Sequence, residues 1–188
     1  MNAPMTLDGH EVLLAVTGGI ACYKAAALAS QLTQAGAGVT VAMTDAATRF
    51  VTPLTFQSLT GRPVYTSLWE SVERYDPQHI ALVDRAEAMV IAPATANIIG
   101  KMASGIADDL VSTLAMTAMA STRILLAPAM NTNMWNNPVV LSNVARLTEL
   151  GVDTIGPNEG RLACGTVGAG RMAEPDEIFG AVVALLTE

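Results

Sequence analysis

The stretch Val12-Leu13-Leu14-Ala15-Val16-Thr17-Gly18-Gly19-Ile20 decides the fold. Its apolar run is too short for a helix and stops at Thr17-Gly18-Gly19, which reads as a buried strand ending in a tight turn. From Ile20 to Ala35 the chain is alanine-rich with helical spacing, and Gly36 stops it. Strand, glycine turn and helix in succession open an α/β unit. The pattern recurs outward from there. Strands are predicted at Val39 to Met43, Ala88 to Ala92, Arg123 to Ala127 and Val152 to Ile155, with Pro93 and Pro128 ending the second and third of these. Helices are predicted over Ala46 to Phe50, Thr55 to Leu59, His79 to Ala86, Thr95 to Ala103, Asp108 to Ala120, Asn137-Pro138 to Leu150, and Pro175 to Leu186. Tyr65 to Gln78 reads as an exposed connection, and Gly156 to Gly170 as a glycine-rich loop.

Strands alternating with helices specify a parallel sheet covered on both faces. The expected fold class is therefore α/β, a three-layer sandwich of the Rossmann-like kind. In such sheets ligands sit beyond the carboxyl ends of the strands. The chain has 188 residues, enough for one domain with a substantial core. Residues 11–188 are expected to form that domain and residues 1–10 a disordered tail.

Composition removes several function classes. A net charge of −7 with no basic cluster argues against nucleic acid as a partner. No apolar run reaches the roughly 18 residues that cross a bilayer, so no membrane role is expected. Met1 to His10 lacks the charged and apolar regions of a secretory signal. Two cysteines, Cys22 and Cys164, and two histidines, His10 and His79, are too few for a disulfide scaffold or a metal site. A reducing, cytoplasmic setting is the natural expectation. The apolar content of 51% against 14% charged suggests that a partner subunit covers part of the surface.

Three strand-end loops carry a phosphate-binding theme: Thr17-Gly18-Gly19-Ile20, Thr44-Asp45-Ala46, and Pro93-Ala94-Thr95-Ala96-Asn97. Glycines admit a ligand to the backbone, and a helix N-terminus attracts an anion. Each loop alone also fits a tight turn or a helix cap. Ile20 and Tyr23 break the dinucleotide fingerprint, and Tyr23 before Lys24 breaks the Walker pattern. Together the loops favour a mononucleotide-like cofactor.

Two further segments could do chemistry. Pro128-Ala129-Met130-Asn131-Thr132-Asn133-Met134-Trp135 follows a buried strand and offers an amide donor beside an apolar wall. Gly160 to Met172 contains Cys164 among glycines and arginines, as a mobile flap able to meet an anion would. A thiol of ordinary pKa, about 8.5, is mostly protonated at neutral pH and can donate a proton. His79, the one histidine in the body of the chain, has an ordinary pKa near about 6.5 and suits proton transfer. On its own, a lone histidine is more often structural than catalytic. Cys22, inside an alanine-rich helix, reads as a core residue.

In combination these segments resemble the flavin-containing cysteine decarboxylases. The matching pieces are Thr17-Gly18-Gly19-Ile20-Ala21, His79-Ile80 with Leu82, Ala92-Pro93-Ala94-Thr95-Ala96-Asn97, Pro128-Ala129-Met130-Asn131 with Met134-Trp135, and Ala163-Cys164-Gly165 with Gly170-Arg171-Met172. They occur in the family's order from about Val12 to Phe179. The resemblance implies a flavodoxin-like fold that binds FMN, in trimers or in dodecamers of trimers, with FMN at a subunit boundary. It implies FMN contacts from Gly18, Gly19, Ile20, Thr44, Thr95, Ala96, Asn97, Ile98 and Met130. It implies substrate contacts from Asn131, Met134, Ala163 and Gly165.

The implied substrate is the small molecule 4'-phosphopantothenoylcysteine, converted to 4'-phosphopantetheine in coenzyme A biosynthesis. The thiol is oxidised to a thioaldehyde, carbon dioxide is lost, and the enethiolate is reduced. The resemblance makes His79 the base or the group that positions the thiol, and Cys164 the proton donor of the last step. Relatives that modify peptide C-termini lack the reductive cysteine, so Cys164 favours the coenzyme A branch. A peptidyl-cysteine decarboxylase and a flavin-binding regulatory protein are the alternatives. Many bacterial relatives fuse such a domain to a ligase, and no second domain is expected within these 188 residues.

Overall fold

The computed structural model describes residues 7–69, 78–161, 165 and 167–187, with the side chains of Gln78 and His79 outside that set. In chain order the described elements are β1 (Glu11–Val16), α1 (Cys22–Gln34), β2 (Gly38–Met43), α2 (Asp45–Thr48), α3 (Pro53–Thr60), β3 (Val64–Tyr65), α4 (Gln78–Arg85), β4 (Ala88–Ala94), α5 (Ala96–Ser104), α6 (Leu110–Ala118), β5 (Arg123–Pro128), α7 (Thr132–Trp135), α8 (Pro138–Glu149), β6 (Asp153–Thr154), β7 (Asn158–Arg161), β8 (Val167–Arg171) and α9 (Pro175–Thr187). Among them a parallel six-stranded sheet has the order β3-β2-β1-β4-β5-β6. The chain starts in the middle, winds one way through β2 and β3, and returns through β4 to β6. The reversal between β1 and β4 creates a crevice at their carboxyl ends.

Side chains alternate across each strand, and this splits the core in two. Val12, Leu14, Val16, Val39, Val41 and Met43 face one layer with α1, α3 and α9. Leu13, Ala15, Met89, Ile91, Ile124 and Leu126 face the other, with α4, α5, α6 and α8. Both layers are apolar, so the central strands read as continuous hydrophobic runs, as the sequence predicts.

The structure differs from the sequence reading in several elements. β4 continues through Pro93 to Ala94, with a register shift against β5, and β5 includes Pro128. A proline lacks only its own N–H, so at a strand's end the ladder loses little. Val64 and Tyr65, partly inside the supposed connection, add an edge strand beside β2. The one turn of α7 lies within the Met130–Trp135 segment. The strand expected at Val152 to Ile155 is the two-residue β6. The supposed glycine-rich loop is a separate antiparallel hairpin, β7 with β8, paired from Asn158↔Arg171 to Arg161↔Val167. Glycine-rich strands carry no side-chain alternation, so their pairing was not legible.

Residues 7–10, expected to belong to a disordered tail, pack on the body. Leu7 is fully buried in the α1 layer and its N–H donates to the Ala35 carbonyl at 2.6 Å. His10 Nδ1 lies 3.0 Å from a carboxylate oxygen of Glu87. Apolar burial at Leu7 holds residues 7–10 on the body, and residues 1–6 lie outside the described residues.

Candidate active site

A cavity of about 1290 Å³ opens at the carboxyl ends of β1, β2, β4 and β5, where the hairpin closes one side. Its wall begins with the turn after β1. Thr17 is 2% exposed and its Oγ1 donates to the Pro93 carbonyl at 2.6 Å. The Thr95 N–H donates back to Thr17 Oγ1 at 3.3 Å. Residues far apart in sequence thus lock the first and third loops together. Gly18 joins the second loop to them: a Cβ there would stand 2.4 Å from Ala46 Cβ, so only glycine lets the loops meet.

The helix caps decide which donors remain for a ligand. Thr44 Oγ1 accepts from Ala47 N at 3.2 Å, and Thr95 Oγ1 from Ile98 N at 3.5 Å. The capping expectation holds, and each hydroxyl keeps its own proton to donate. Helix α1 is different, because Ala21 at its N-cap supplies no side-chain bond. Its first turn is held by backbone alone, with Cys22 N–H donating to the Gly19 carbonyl at 3.0 Å and Lys24 N–H to the Ala21 carbonyl at 2.9 Å, and the positive end of the helix dipole lies at the cavity wall.

The opposite wall is the segment after β5. Asn131 Oδ1 caps α7 by accepting from Met134 N at 2.9 Å. That bond fixes the amide's orientation and leaves its NH2 as the group offered to the cavity. Met130 N donates to Gly170 O at 2.9 Å, tying this wall to the hairpin. Gly170 sits at φ +126°, and a Cβ there would meet Met130 O at 2.2 Å.

The cavity is lined by Gly18, Gly19, Ile20, Thr44, Thr95, Ala96, Asn97, Ile98, Met130, Asn131 and Met134, which gathers most of the predicted site. Gly165 is exposed and is not part of that lining. Ala163 and Cys164 lie outside the described residues. His79 falls in the first turn of α4, which Leu82 and Val83 anchor in the core. No described side chain of α4, from Ile80 to Arg85, lines the cavity.

Sequence reasoning missed four contributors. Thr17 looked like part of a turn, and its bond to Pro93 depends on a tertiary approach. Lys24 shares the spacing of buried Leu28 and Leu32, so a charge on an apolar helix stripe was its available signal. Lys101 and Asp109 line the cavity as an ion pair at 2.6 Å, with Asp108 also at 2.6 Å from the ammonium. Burial acts to lower the Lys101 pKa, but the hydrogen bonds and charges of the two aspartates outweigh it and raise the net value. Cys22 is fully buried, as expected, and burial raises its thiol pKa. Among the described residues no group of acidic, histidine or cysteine side chains could hold a metal, and no helix is long and apolar enough to cross a membrane.

Comparison with known proteins places the chain in a family. The Flavoprotein family model matches residues 1–187. The chain belongs to the Flavoprotein family. Over 172 residues it is 49% identical to the Coenzyme A biosynthesis bifunctional protein CoaBC of Bacillus subtilis, covering 92% of this chain and 42% of that protein. The chain thus spans less than half the length of such bifunctional relatives. It is 44% identical over 169 residues to the "Probable phosphopantothenoylcysteine decarboxylase" of Streptococcus mutans, covering 90% of this chain and 94% of that one. Among solved structures, a PPC decarboxylase cysteine-to-serine mutant complexed with pantothenoylaminoethenethiol aligns at TM-score 0.84 and 33% identity, over 95% of this chain and 99% of that chain. The FMN-dependent cysteine decarboxylase SpaF aligns at TM-score 0.80 and 29% identity, over 97% and 100%. As a Flavoprotein member, the chain has the flavodoxin-like sheet that the resemblance predicted.

Proposed function

We propose that this Flavoprotein member is an FMN-dependent phosphopantothenoylcysteine decarboxylase that forms 4'-phosphopantetheine. The observation that carries this reading is one cavity joining the start of α1, which no side chain caps, to the Asn131 amide. FMN fits it: Gly18, Gly19 and Ile20 would meet the phosphate, the free protons of Thr44 and Thr95 would add donors, and Ala96, Asn97, Ile98 and Met130 would border the ring. When bound, FMN supplies the two-electron acceptor and donor that the substrate thiol chemistry requires.

The chain's own residues do the rest. The Asn131 NH2 holds the substrate carboxylate without adding a positive charge that would discourage its loss, and Met134 walls it. His79 accepts or orients the thiol proton. Ala163 and Gly165 contact the substrate in this proposal, and the Cys164 thiol donates the final proton.

The site is completed by a second subunit in this proposal. Ile20 and Tyr23 line the cavity yet are each 61% exposed, which an adjoining subunit would cover. A neighbouring protomer could also bring its His79 to the cavity. A trimer, or a dodecamer of trimers, is expected by light scattering in solution.

The test is direct. Purified protein should show flavin absorption bands and should release carbon dioxide and 4'-phosphopantetheine from 4'-phosphopantothenoylcysteine. Protein that takes up FMN but leaves this substrate intact fails the reading. Cys164→Ser should still release carbon dioxide while accumulating enethiol and reduced flavin. His79→Asn should bind FMN and lose the first oxidation, and rapid flavin bleaching by substrate would overturn its role.

A further inference from the structure

We propose that Arg171 recognises the phosphate end of the substrate, with Glu174 and Lys24 as its positioning residues, an assignment that rests on the decarboxylase reading above. Among the described residues four cations line the cavity: Lys24, Lys101, Arg161 and Arg171. Lys101 is more than offset by Asp108 and Asp109, so that wall is net negative. At the base of the hairpin the balance reverses. One oxygen, Glu174 Oε1, accepts from Lys24 Nζ at 3.0 Å and also from the Arg171 guanidinium. Two cations on one carboxylate leave a surplus positive charge at the cavity wall.

The arrangement is built rather than incidental. Lys24 is 5% exposed, and its Nζ also donates to the Met172 carbonyl at 3.0 Å. It therefore holds the backbone next to Arg171 and the carboxylate that aims Arg171. A buried ammonium needs such partners, since stranding it is costly. The Lys24 hydrogen bond keeps the Glu174 carboxyl below its ordinary pKa, so the aiming group stays ionised. Gly160 leaves a slot for the arginine: a Cβ there would stand 3.1 Å from both Cδ and Nη1 of Arg171. A guanidinium has five donors, so several remain after Glu174 is bonded.

The chemistry of the substrate divides its two anions between sites. Its carboxylate must leave as neutral carbon dioxide, and a cation on it would stabilise the ground state more than the transition state. The neutral amide of Asn131 suits that group. The phosphate takes no part in bond changes, so a cation can hold it throughout. The start of α1, which no side chain caps, serves the flavin phosphate, which leaves the hairpin node for the substrate's.

The experiment measures dissociation constants of the FMN-loaded protein for 4'-phosphopantetheine and for pantetheine, from the shift in flavin absorption on binding. The unsubstituted protein should prefer the phosphorylated ligand by about 10- to 100-fold, the range of a charge-assisted contact. Arg171→Met should bring that ratio close to one, and Arg171→Lys should keep part of it. Glu174→Gln and Lys24→Met should each lower the ratio while FMN stays bound. An Arg171→Met protein that weakens both ligands equally overturns the proposal. So does one that loses FMN, which would assign the node to the flavin phosphate. If Arg171→Met does not fold, an unchanged ratio in Glu174→Gln and Arg171→Lys overturns it. Unsubstituted protein that binds neither ligand fails the decarboxylase reading itself, a result distinct from equal binding of both.

Discussion

Asn131 and Thr17 each do two jobs with one side chain, and in both the second job follows from the first. Asn131 uses its oxygen to cap α7, which turns its NH2 outward. Asn131→Asp keeps the capping oxygen, since aspartate is an equally good N-cap. It replaces the donor with a charge that repels the substrate carboxylate. The expected result is a KM raised about 10-fold or more with the flavin spectrum unchanged, and an unaltered KM would remove Asn131 from the substrate site. Thr17 donates to Pro93 and accepts from Thr95. Thr17→Val removes the partner of the buried Pro93 carbonyl and of the half-buried Thr95 N–H and should cost about 1–3 kcal/mol, read from urea unfolding. FMN affinity should fall with it, because the first and third loops lose their tie.

At the scale of elements, the hairpin β7–β8 is held by hydrogen bonds rather than by a core. Its strands are glycine-rich and mostly exposed or half-buried, and hydrogen bonds tie it to the body: Met130 N–H to the Gly170 carbonyl, Lys24 Nζ to the Met172 carbonyl and Asn158 Nδ2 to Glu177. Gly170→Ala places a side chain at φ +126° against Met130 O. The strain alone should cost about 1–3 kcal/mol. The hairpin should release while the sheet stays folded, so decarboxylation falls more than thermal stability, as paired activity and melting measurements would show. This element was the least legible part of the sequence. The strands of the sheet announced themselves through apolar runs bounded by turns. β7 and β8 present Gly160, Gly168 and Gly170 instead, and their pairing exists only because the flanking segments bring them together. The candidate site divided in the same way. Gly18, Thr44, Thr95 and Asn131 could be found because they follow strands. Lys101 and Asp109 could not, since their partners come from other elements, and Lys24 showed only as a charge on an apolar helix stripe.

For the whole molecule, electrostatics separates the two ends of the sheet. The amino ends carry a network in which Arg62 bonds both oxygens of Glu11 at 2.5 and 2.8 Å, and Glu87 bonds His10 and the Glu11 N–H. The Arg62 hydrogen bond lowers the Glu11 carboxyl pKa, and the His10 hydrogen bond lowers that of Glu87. Carboxyls depressed in the folded state bind protons more readily when unfolded. Their contribution is therefore complete above the ordinary carboxylate range and is lost as pH falls through the folded values. Stability by urea unfolding should decline from neutral pH toward pH of about 3, and Glu11→Gln should flatten part of that decline. Equal slopes for the two proteins would show that the network contributes nothing.

By itself the sequence determined the parallel α/β layering, because each central strand is apolar on both faces and each helix is punctuated by glycine, proline or a capping residue. It also determined that the strand-end loops carry the ligand-facing residues, since that is where such sheets leave their crevice. The tertiary structure decided which of those residues act together. Loop contact at Gly18 and Ala46, the Thr17 bond to Pro93, and the sharing of Glu174 between Lys24 and Arg171 are all meetings of segments distant in sequence. Local pattern reports which face of an element is apolar, whereas hydrogen bonds and ion pairs across elements depend on how the elements pack.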